Sequence, residues 1–143
     1  MKDEYKKWFI DEIKNIKKIT RNKEGRLYTS HSISSEYVPF HNKLKEYIYS
    51  INEVTKDTQY TMYNIHVWNK GDFFKEHRDN NFSRKWSYVC ELQPSLCNTH
   101  LLVEGKQVIE GIFDSNTLHE VPPIQEGTRI SLTIFGSSPD SII

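Results

Sequence analysis

The apolar residues of the N-terminal third recur at the spacing of an α-helix. Over residues 3–19 they form one stripe, which predicts a helix with Asp3 as its N-cap and a break from Asn22 onward. A second stripe predicts a helix over residues 36–54, with Pro39 in its first turn. We expect both helices to pack against a sheet, although a partner-binding surface is the alternative. The stripes contain Tyr5, Trp8, Phe9, Ile13, Ile16 and Ile19, then Phe40, Leu44, Tyr47, Ile48, Ile51 and Val54.

From about residue 59 the pattern changes to short runs of the kind that form β-strands. Turn sequences rich in Gly, Asn, Asp and Pro separate these runs at regular intervals, which favours a sandwich or barrel of antiparallel strands. Strands and helices do not alternate along the sequence, and this argues against a parallel sheet. The predicted strands cover residues 59–68, 72–77, 86–92, 100–103, 107–113 and 129–135.

Length and amino-acid composition argue against several classes of protein. A length of 143 residues predicts one domain, and an aromatic content of 13% supplies apolar area for a core. Because 19 basic residues balance 19 acidic ones, the overall charge does not favour nucleic-acid binding. Neither a membrane span nor a secretory signal is evident, so an intracellular location is expected. Cys90 and Cys97 fit no common metal or redox spacing and are interpreted as reduced bystanders.

The first candidate for chemistry is the segment His77-Arg78-Asp79, at the end of a predicted strand. Residues two apart on a strand point to the same face, so His77 and Asp79 would converge while Arg78 turns away. An imidazole and a carboxylate presented in this way are two potential ligands of a metal ion. Alone, the pair is a weak signal.

His119 adds a second imidazole, far enough along the chain to return on another strand. Two histidines and one carboxylate are the ligands of non-haem Fe(II) oxygenases, and they leave coordination positions open. The same set of ligands also serves catalytic zinc. Fe(II) is favoured by the mixture of donors, and zinc remains the alternative.

A third candidate lies on the last predicted strand, where Arg129 and Ser131 alternate to one face. An arginine binds a carboxylate through two parallel hydrogen bonds, and a neighbouring hydroxyl can add another. If Arg129 faces inward, within this mostly apolar run, it requires an anionic partner. If the strand lies at an edge, Arg129 would point to solvent, and the residues alone leave both arrangements open.

The order and spacing of these three features resemble the Fe(II)/2-oxoglutarate-dependent oxygenases, in particular the prolyl-4-hydroxylase-like group. The resemblance covers residues 60–136, about half of the chain. Members of the group place His-x-Asp after a Gly-x-aromatic-aromatic sequence, as in Gly71–Asp79 here. They place the distal histidine in His-Glu-Val-x-Pro, followed by Gly-x-Arg and a strand, as in residues 119–133.

The resemblance implies a role for each of these residues. His77, Asp79 and His119 would bind Fe(II) and form the catalytic centre. Arg129 would pair with the distal carboxylate of 2-oxoglutarate, with Ser131 assisting. The implied reaction hydroxylates a C–H bond with O2 and converts 2-oxoglutarate to succinate and carbon dioxide, and ascorbate is an expected supporting reductant.

The resemblance also implies a fold, which is mainly β. It is a double-stranded β-helix of the jelly-roll or cupin-like kind, braced by about two N-terminal α-helices. Within a single domain, residues 1–57 would form the helical support, 58–137 the catalytic core and 138–143 a tail.

Two departures from the family bear on function. Many members have a tyrosine where this chain has Trp68, so the contact to the co-substrate would come from an indole N–H. The chain is also short, so loops that usually cover the substrate are trimmed. We expect a protein or peptide substrate, with proline the first choice, and no membrane partner; the oligomeric state is not predicted.

Two further functions remain open. One is oxidative demethylation of nucleic acid or protein by the same chemistry. Nucleic acid is not favoured, although a local basic patch is conceivable at Lys70, Lys75, Arg78, Arg84 and Lys85. The other is a metal-bearing β-helix that binds a ligand without catalysis.

Overall fold

The computed structural model describes residues 1–33, 42, 43, 46, 60–79 and 85–137. In this part of the chain no helix is both long and apolar enough to cross a bilayer. The helix α1 spans Asp3–Glu12 and continues into a 3-10 turn over Ile13–Asn15. The strands are β1 (Lys18–Lys23), β2 (Arg26–Ile33), β3 (Tyr60–Trp68), β4 (Phe73–His77), β5 (Trp86–Gln93), β6 (Leu101–Val103), β7 (Lys106–Val108), β8 (Glu110–Asp114), β9 (His119–Val121) and β10 (Arg129–Ser137).

The strands form one antiparallel sheet that curls into a nearly closed barrel. Their order is β7-β6-β9-β4-β2-β3-β10-β5-β8, with β1 paired to β2. Both the predominance of β-structure and the antiparallel pairing confirm the sequence prediction. Because side chains alternate along a strand, each strand presents one face to the interior of the barrel and the other to its outside.

Helix α1 covers the outer face of the sheet, which confirms the packing role predicted for it. Phe9 is completely buried in a cluster to which β5 contributes Trp86, Tyr88, Cys90 and Leu92. Burying a phenylalanine side chain stabilises a fold by about 1.5–3 kcal/mol. Lys2, and not Asp3, is the N-cap residue, and Asp3 begins the first turn, where an acid favours the helix dipole.

Residues 18–33 form a β-hairpin, where helical spacing had predicted the end of a helix. Strands β1 and β2 are joined by Glu24 and Gly25, and Gly25 adopts a φ of +85°. Ile16 and Ile19 fit a helical stripe, but β-branched and aromatic residues around a two-residue turn favour paired strands. The prediction of a helix over residues 3–19 is therefore wrong at its C-terminal end, and the helical support region predicted over residues 1–57 contains this hairpin.

The strand predicted over residues 107–113 is divided in two. Strand β7 pairs with β6, whereas β8 pairs with β5, so the chain turns a corner of the barrel at Ile109. Ile109 is 52% exposed, as its position at this corner requires. Strand β9 was not among the predicted strand ranges, although His119 was expected to lie on a returning strand, and β9 confirms that expectation.

Two predicted regions fall largely outside the described residues. Residues 42, 43 and 46 are helical, and the rest of the helix predicted over 36–54 is not described. The tail over 138–143 is likewise outside the described residues. The domain division near residue 57 stays a prediction.

Candidate functional site

The interior of the barrel contains a cavity of about 600 Å³. This volume is in the range of sites for small ligands. Side chains from every strand except β7 contribute to its walls. All the site residues predicted from sequence lie on this lining, namely His77, Asp79, His119, Arg129, Ser131 and Trp68.

His77, Asp79 and His119 converge on one point of the cavity wall. His77 ends β4 and His119 begins β9, and the two residues are direct partners across these strands. The Nε2 atom of His119 lies 3.2 Å from Oδ2 of Asp79, and Nε2 of His77 lies 3.8 Å from Oδ1. One potential ligand atom from each residue lies within 4.8 Å of the others. Arg78 turns outward, as expected, and its Nε donates a hydrogen bond to the Asn116 carbonyl.

The backbone orients both imidazoles in the same way. Nδ1 of His77 lies 2.7 Å from the carbonyl oxygen of Lys75, and Nδ1 of His119 lies 2.7 Å from that of Thr117. Since a carbonyl only accepts, each Nδ1 carries the proton and donates it. The lone pair of each Nε2 then faces Asp79, which is the tautomer that a metal-ligating histidine needs.

Burial favours neutral His77 as well. Desolvation lowers the pKa of His77, helped by the charges of His119 and Arg26, while the bond to Lys75 and the Asp79 carboxylate oppose the shift. A neutral imidazole is the form that binds a metal. The Phe74 ring stacks on His77 at a centroid distance of 3.7 Å and restricts its orientation.

Asp79 lies beyond the end of β4, so its position depends on other contacts. Its backbone N–H donates to the carbonyl of Ser115 over 2.9 Å. The Ser115 hydroxyl in turn lies 2.7 Å from that of Ser87 on β5, and both serines are fully buried. This contact ties the carboxylate to the central sheet.

Arg129 is buried inside the barrel at the start of β10, so the inward arrangement is the one adopted. Its side chain is 1% exposed, and its Nε donates to Oε2 of Glu91 over 3.1 Å. The same oxygen lies 2.7 Å from Nδ1 of the buried His100. Burial lowers the pKa of Arg129, and the adjacent Glu91 carboxylate opposes the shift, so the guanidinium stays charged.

One donor of this guanidinium is left without a partner. Among the described residues, no acceptor lies within hydrogen-bonding distance of the buried Nη1 of Arg129. Leaving a buried donor unsatisfied costs about 1–3 kcal/mol. Because Arg129 lines the cavity, a carboxylate bound there would satisfy this atom, and the site therefore fits an anionic co-substrate.

Trp68 and Ser131 lie beside Arg129. The indole N–H of Trp68 donates to Oγ of Ser131 over 3.2 Å, and Arg129 is the partner of Trp68 across β3 and β10. The indole N–H of Trp68 is therefore already engaged in a hydrogen bond to Ser131. The hydroxyl proton of Ser131 remains to be donated to a ligand.

Sequence reasoning missed residues of the cavity wall and one buried residue behind it. Arg21, Arg26 and Tyr28 on the β1–β2 hairpin line the cavity, and only recognition of the hairpin could have indicated them. Glu91 was also missed, although a lone acid in the apolar run of β5 signals a buried partner. No residue of the suggested basic patch lines the cavity among those that are described; Arg84 lies outside them.

Two of the other histidines make structural contacts. His100 holds Glu91, and Nδ1 of the buried His31 lies 3.1 Å from the Ile16 carbonyl. His66 lines the cavity, and its ring lies 4.8 Å from that of Tyr28. His41 is outside the described residues.

Known proteins resemble this chain in structure but not detectably in sequence. No protein-family model and no curated protein matches it. A prolyl-4-hydroxylase from Pseudomonas putida matches with a TM-score of 0.73 and 14% identity, over 95% of this chain and 88% of that one. A viral collagen prolyl hydroxylase from Paramecium Bursaria Chlorella virus-1, in a 2OG complex, gives 0.71 and 12%, over 94% and 90%.

A prolyl hydroxylase from Trichoplax adhaerens, in complex with a hypoxia inducible factor peptide fragment, also matches. Its TM-score is 0.69 at 14% identity, over 96% of this chain and 80% of that one. At such low identities the likeness establishes architecture. The chain has the fold of the prolyl-hydroxylase-like 2-oxoglutarate oxygenases, a jelly-roll barrel of antiparallel strands.

Proposed function

We propose that this chain is an Fe(II)- and 2-oxoglutarate-dependent dioxygenase that hydroxylates a C–H bond of a protein or peptide residue. The observation that carries the proposal is the pairing of two features in one cavity. One is a group of two histidines and one aspartate, and the other is the unsatisfied Nη1 of Arg129. The fold shared with prolyl hydroxylases supports the same conclusion.

His77, Asp79 and His119 would hold the iron. Their tautomers present Nε2 and carboxylate atoms to one point, and three protein ligands on one side leave other positions open for co-substrate and O2. Zinc could bind the same ligands, but a zinc site would not explain why Arg129, in the same cavity, has a hydrogen-bond donor without a partner. When bound, Fe(II) and 2-oxoglutarate supply the oxidising chemistry that inserts one oxygen atom of O2 into a C–H bond.

The residues of the chain would position the co-substrate and exclude water. Nη1 of Arg129 and the hydroxyl of Ser131 would bind its distal carboxylate. Glu91 fixes the guanidinium from behind, and Trp68 fixes the hydroxyl. Apolar side chains such as Val89 and Val121 complete the wall and limit access of water to the reacting centre.

A peptide is the favoured substrate, with proline as the first residue to test. The similar structures are named as prolyl hydroxylases, and one of them holds a peptide. Oxidative demethylation by the same residues is the second candidate. A barrel that binds a ligand without catalysis is the third.

The proposal is tested by incubating the protein with Fe(II), ascorbate, 2-oxoglutarate and a pool of proline-containing peptides. We expect succinate to form and a peptide to gain the mass of one oxygen atom. His77→Ala should form neither product, whereas Glu76→Ala, its exposed neighbour, should match the wild type. Loss of a methylene mass from a methylated peptide or oligonucleotide would identify a demethylase. If no succinate forms with any of these substrates, the remaining candidate is a barrel that binds a ligand without catalysis.

A further inference from the structure

Two arginines on the β1–β2 hairpin face the same cavity as the candidate metal ligands. Arg21 is the one residue of β1 that is not exposed, and it lies directly opposite Tyr28 on β2. Arg26 precedes Tyr28 by two residues, so the two side chains share a face. Arg21, Arg26 and Tyr28 all line the cavity.

No carboxylate of the described residues pairs with either of these arginines. Neither side chain forms an ion pair or a hydrogen bond with any residue that the structure describes, and the Arg26 guanidinium only packs on the Phe74 ring at 5.7 Å. Asp79 is the one carboxylate among the described residues of the lining, and it belongs to the metal group. Arg129 differs from both, because Glu91 already opposes its charge.

The hairpin places one of these charges beside the reacting centre. The Phe74 ring is stacked on His77 with its centroid 3.7 Å away, and the Arg26 guanidinium lies near the same ring. Backbone pairing of Arg26 with Phe74 and a bond from the Lys75 N–H to the Gly25 carbonyl fix the hairpin to β4. The positive charge therefore lies on a supported wall of the cavity.

We propose that Arg21 and Arg26 bind acidic side chains of the peptide that is hydroxylated, so that the site selects acidic peptide segments. The inference rests on the proposed function and names its substrate class. A guanidinium recognises a carboxylate through paired, charge-assisted hydrogen bonds. A peptide with one or two acids next to its target residue matches two arginines in number. A nucleic acid would require a broader basic surface than a chain of zero net charge provides.

The test uses matched peptides whose positions around a central proline carry Asp and Glu, Asn and Gln, or Lys. Binding of each fluorescent peptide is measured first on protein without metal, and hydroxylation is measured second. The wild type should bind the acidic peptides about tenfold more tightly than their amide counterparts. Arg21→Gln with Arg26→Gln should abolish this preference, and Arg21→Glu with Arg26→Glu should shift it towards the lysine peptides.

Lys18→Gln provides the matched control, because Lys18 is exposed and lies on the opposite face of β1. It should keep the full preference for acidic peptides. Equal binding of acidic and amide peptides by the wild type would overturn the inference. So would arginine variants that raise the 2-oxoglutarate requirement and leave peptide binding unchanged, since the arginines would then serve the co-substrate. An oligonucleotide that binds through the same two arginines in place of the peptides would overturn it as well.

The two proposals fail in different ways. If acidic peptides bind through Arg21 and Arg26 but no succinate forms with Fe(II) and 2-oxoglutarate, the proposed reaction fails while the acidic ligand stands. If succinate forms and a peptide is hydroxylated regardless of its charge, the reaction stands and the inference fails.

Discussion

Glu91 and Arg129 form a buried ion pair on neighbouring strands, with Nε of the arginine 3.1 Å from Oε2 of the glutamate. The glutamate also holds His100, so one carboxylate oxygen serves two partners. The pair orients the guanidinium by its Nε, and the buried Nη1 has no partner among the described residues. Under the proposed function, this relationship connects the stability of the barrel with the binding of the co-substrate.

Two replacements of Glu91 distinguish how much its charge and its hydrogen bond to Arg129 each contribute to stability. Glu91→Ala leaves the Arg129 charge buried and unpaired, so we expect the free energy of unfolding to fall by about 3–5 kcal/mol. Glu91→Gln keeps an acceptor for Nε and should cost less. Denaturant unfolding measures both. Glu126→Ala, at an exposed position, should change stability by no more than about 0.5 kcal/mol. Equal stability of Glu91→Ala and the wild type would mean that the pair is not formed in solution.

Replacing Arg129 should weaken co-substrate binding selectively. Arg129→Ala removes a charge-assisted pair, so the free energy of 2-oxoglutarate binding should become less favourable by about 1.5–3 kcal/mol or more. Iron affinity should stay near the wild-type value, because the histidines and Asp79 are unchanged. Calorimetric titration of each ligand measures both effects. An unchanged 2-oxoglutarate affinity would show that the co-substrate binds elsewhere.

Replacements of Trp68 and Ser131 should have coupled effects on the stability of the protein. Trp68→Phe removes the N–H that Ser131 accepts, and Ser131→Ala removes the acceptor, each at about 0.5–1.5 kcal/mol. Since both changes break one bond, the double variant should lose less stability than the two single variants added together. Thermal or denaturant unfolding of all four proteins measures the coupling energy. Strict additivity would indicate that the hydrogen bond contributes nothing.

The two cysteines should differ strongly in reactivity. Hydrogen bonds with Thr99 and then Ser95 lower the pKa of the Cys97 thiol to about 6, whereas burial raises the pKa of Cys90 to about 12. At pH 7 Cys97 is therefore mainly thiolate and Cys90 is protonated. Iodoacetamide should label Cys97 first, with a rate that falls by half as the pH is lowered to about 6. Cys97→Ser should remove the fast label, and equal labelling of both cysteines would contradict the assignment.

The features that were predicted correctly depend on residue types and spacings within short segments of the sequence. His77 and Asp79 share a short segment, and Arg129 interrupts an apolar strand, so their types and spacing were informative. The hairpin was missed because Ile16 and Ile19 continue the spacing of α1. Its strands are held by the pairing of β1 with β2 and of β2 with β3 and β4. The corner at Ile109 likewise depends on which strand each half finds as a partner.

The contacts between elements could not be predicted. Glu91 stands out as an acid among apolar residues, but its sequence context does not say that Arg129 and His100 share it. The tautomers of His77 and His119 depend on carbonyls that only the folded backbone places. In each case the sequence shows which chemical group the side chain carries, whereas only the tertiary structure shows which residue it contacts.

The central claim is that His77, Asp79 and His119 hold Fe(II) in the cavity where Arg129 receives 2-oxoglutarate. Anaerobic titration of Fe(II) into the protein, followed by absorption spectroscopy with and without 2-oxoglutarate, tests it most directly. We predict a visible metal-to-ligand band that appears only when both are present and is absent from Asp79→Ala. No band in the wild type, or an undiminished band in Asp79→Ala, would contradict the claim.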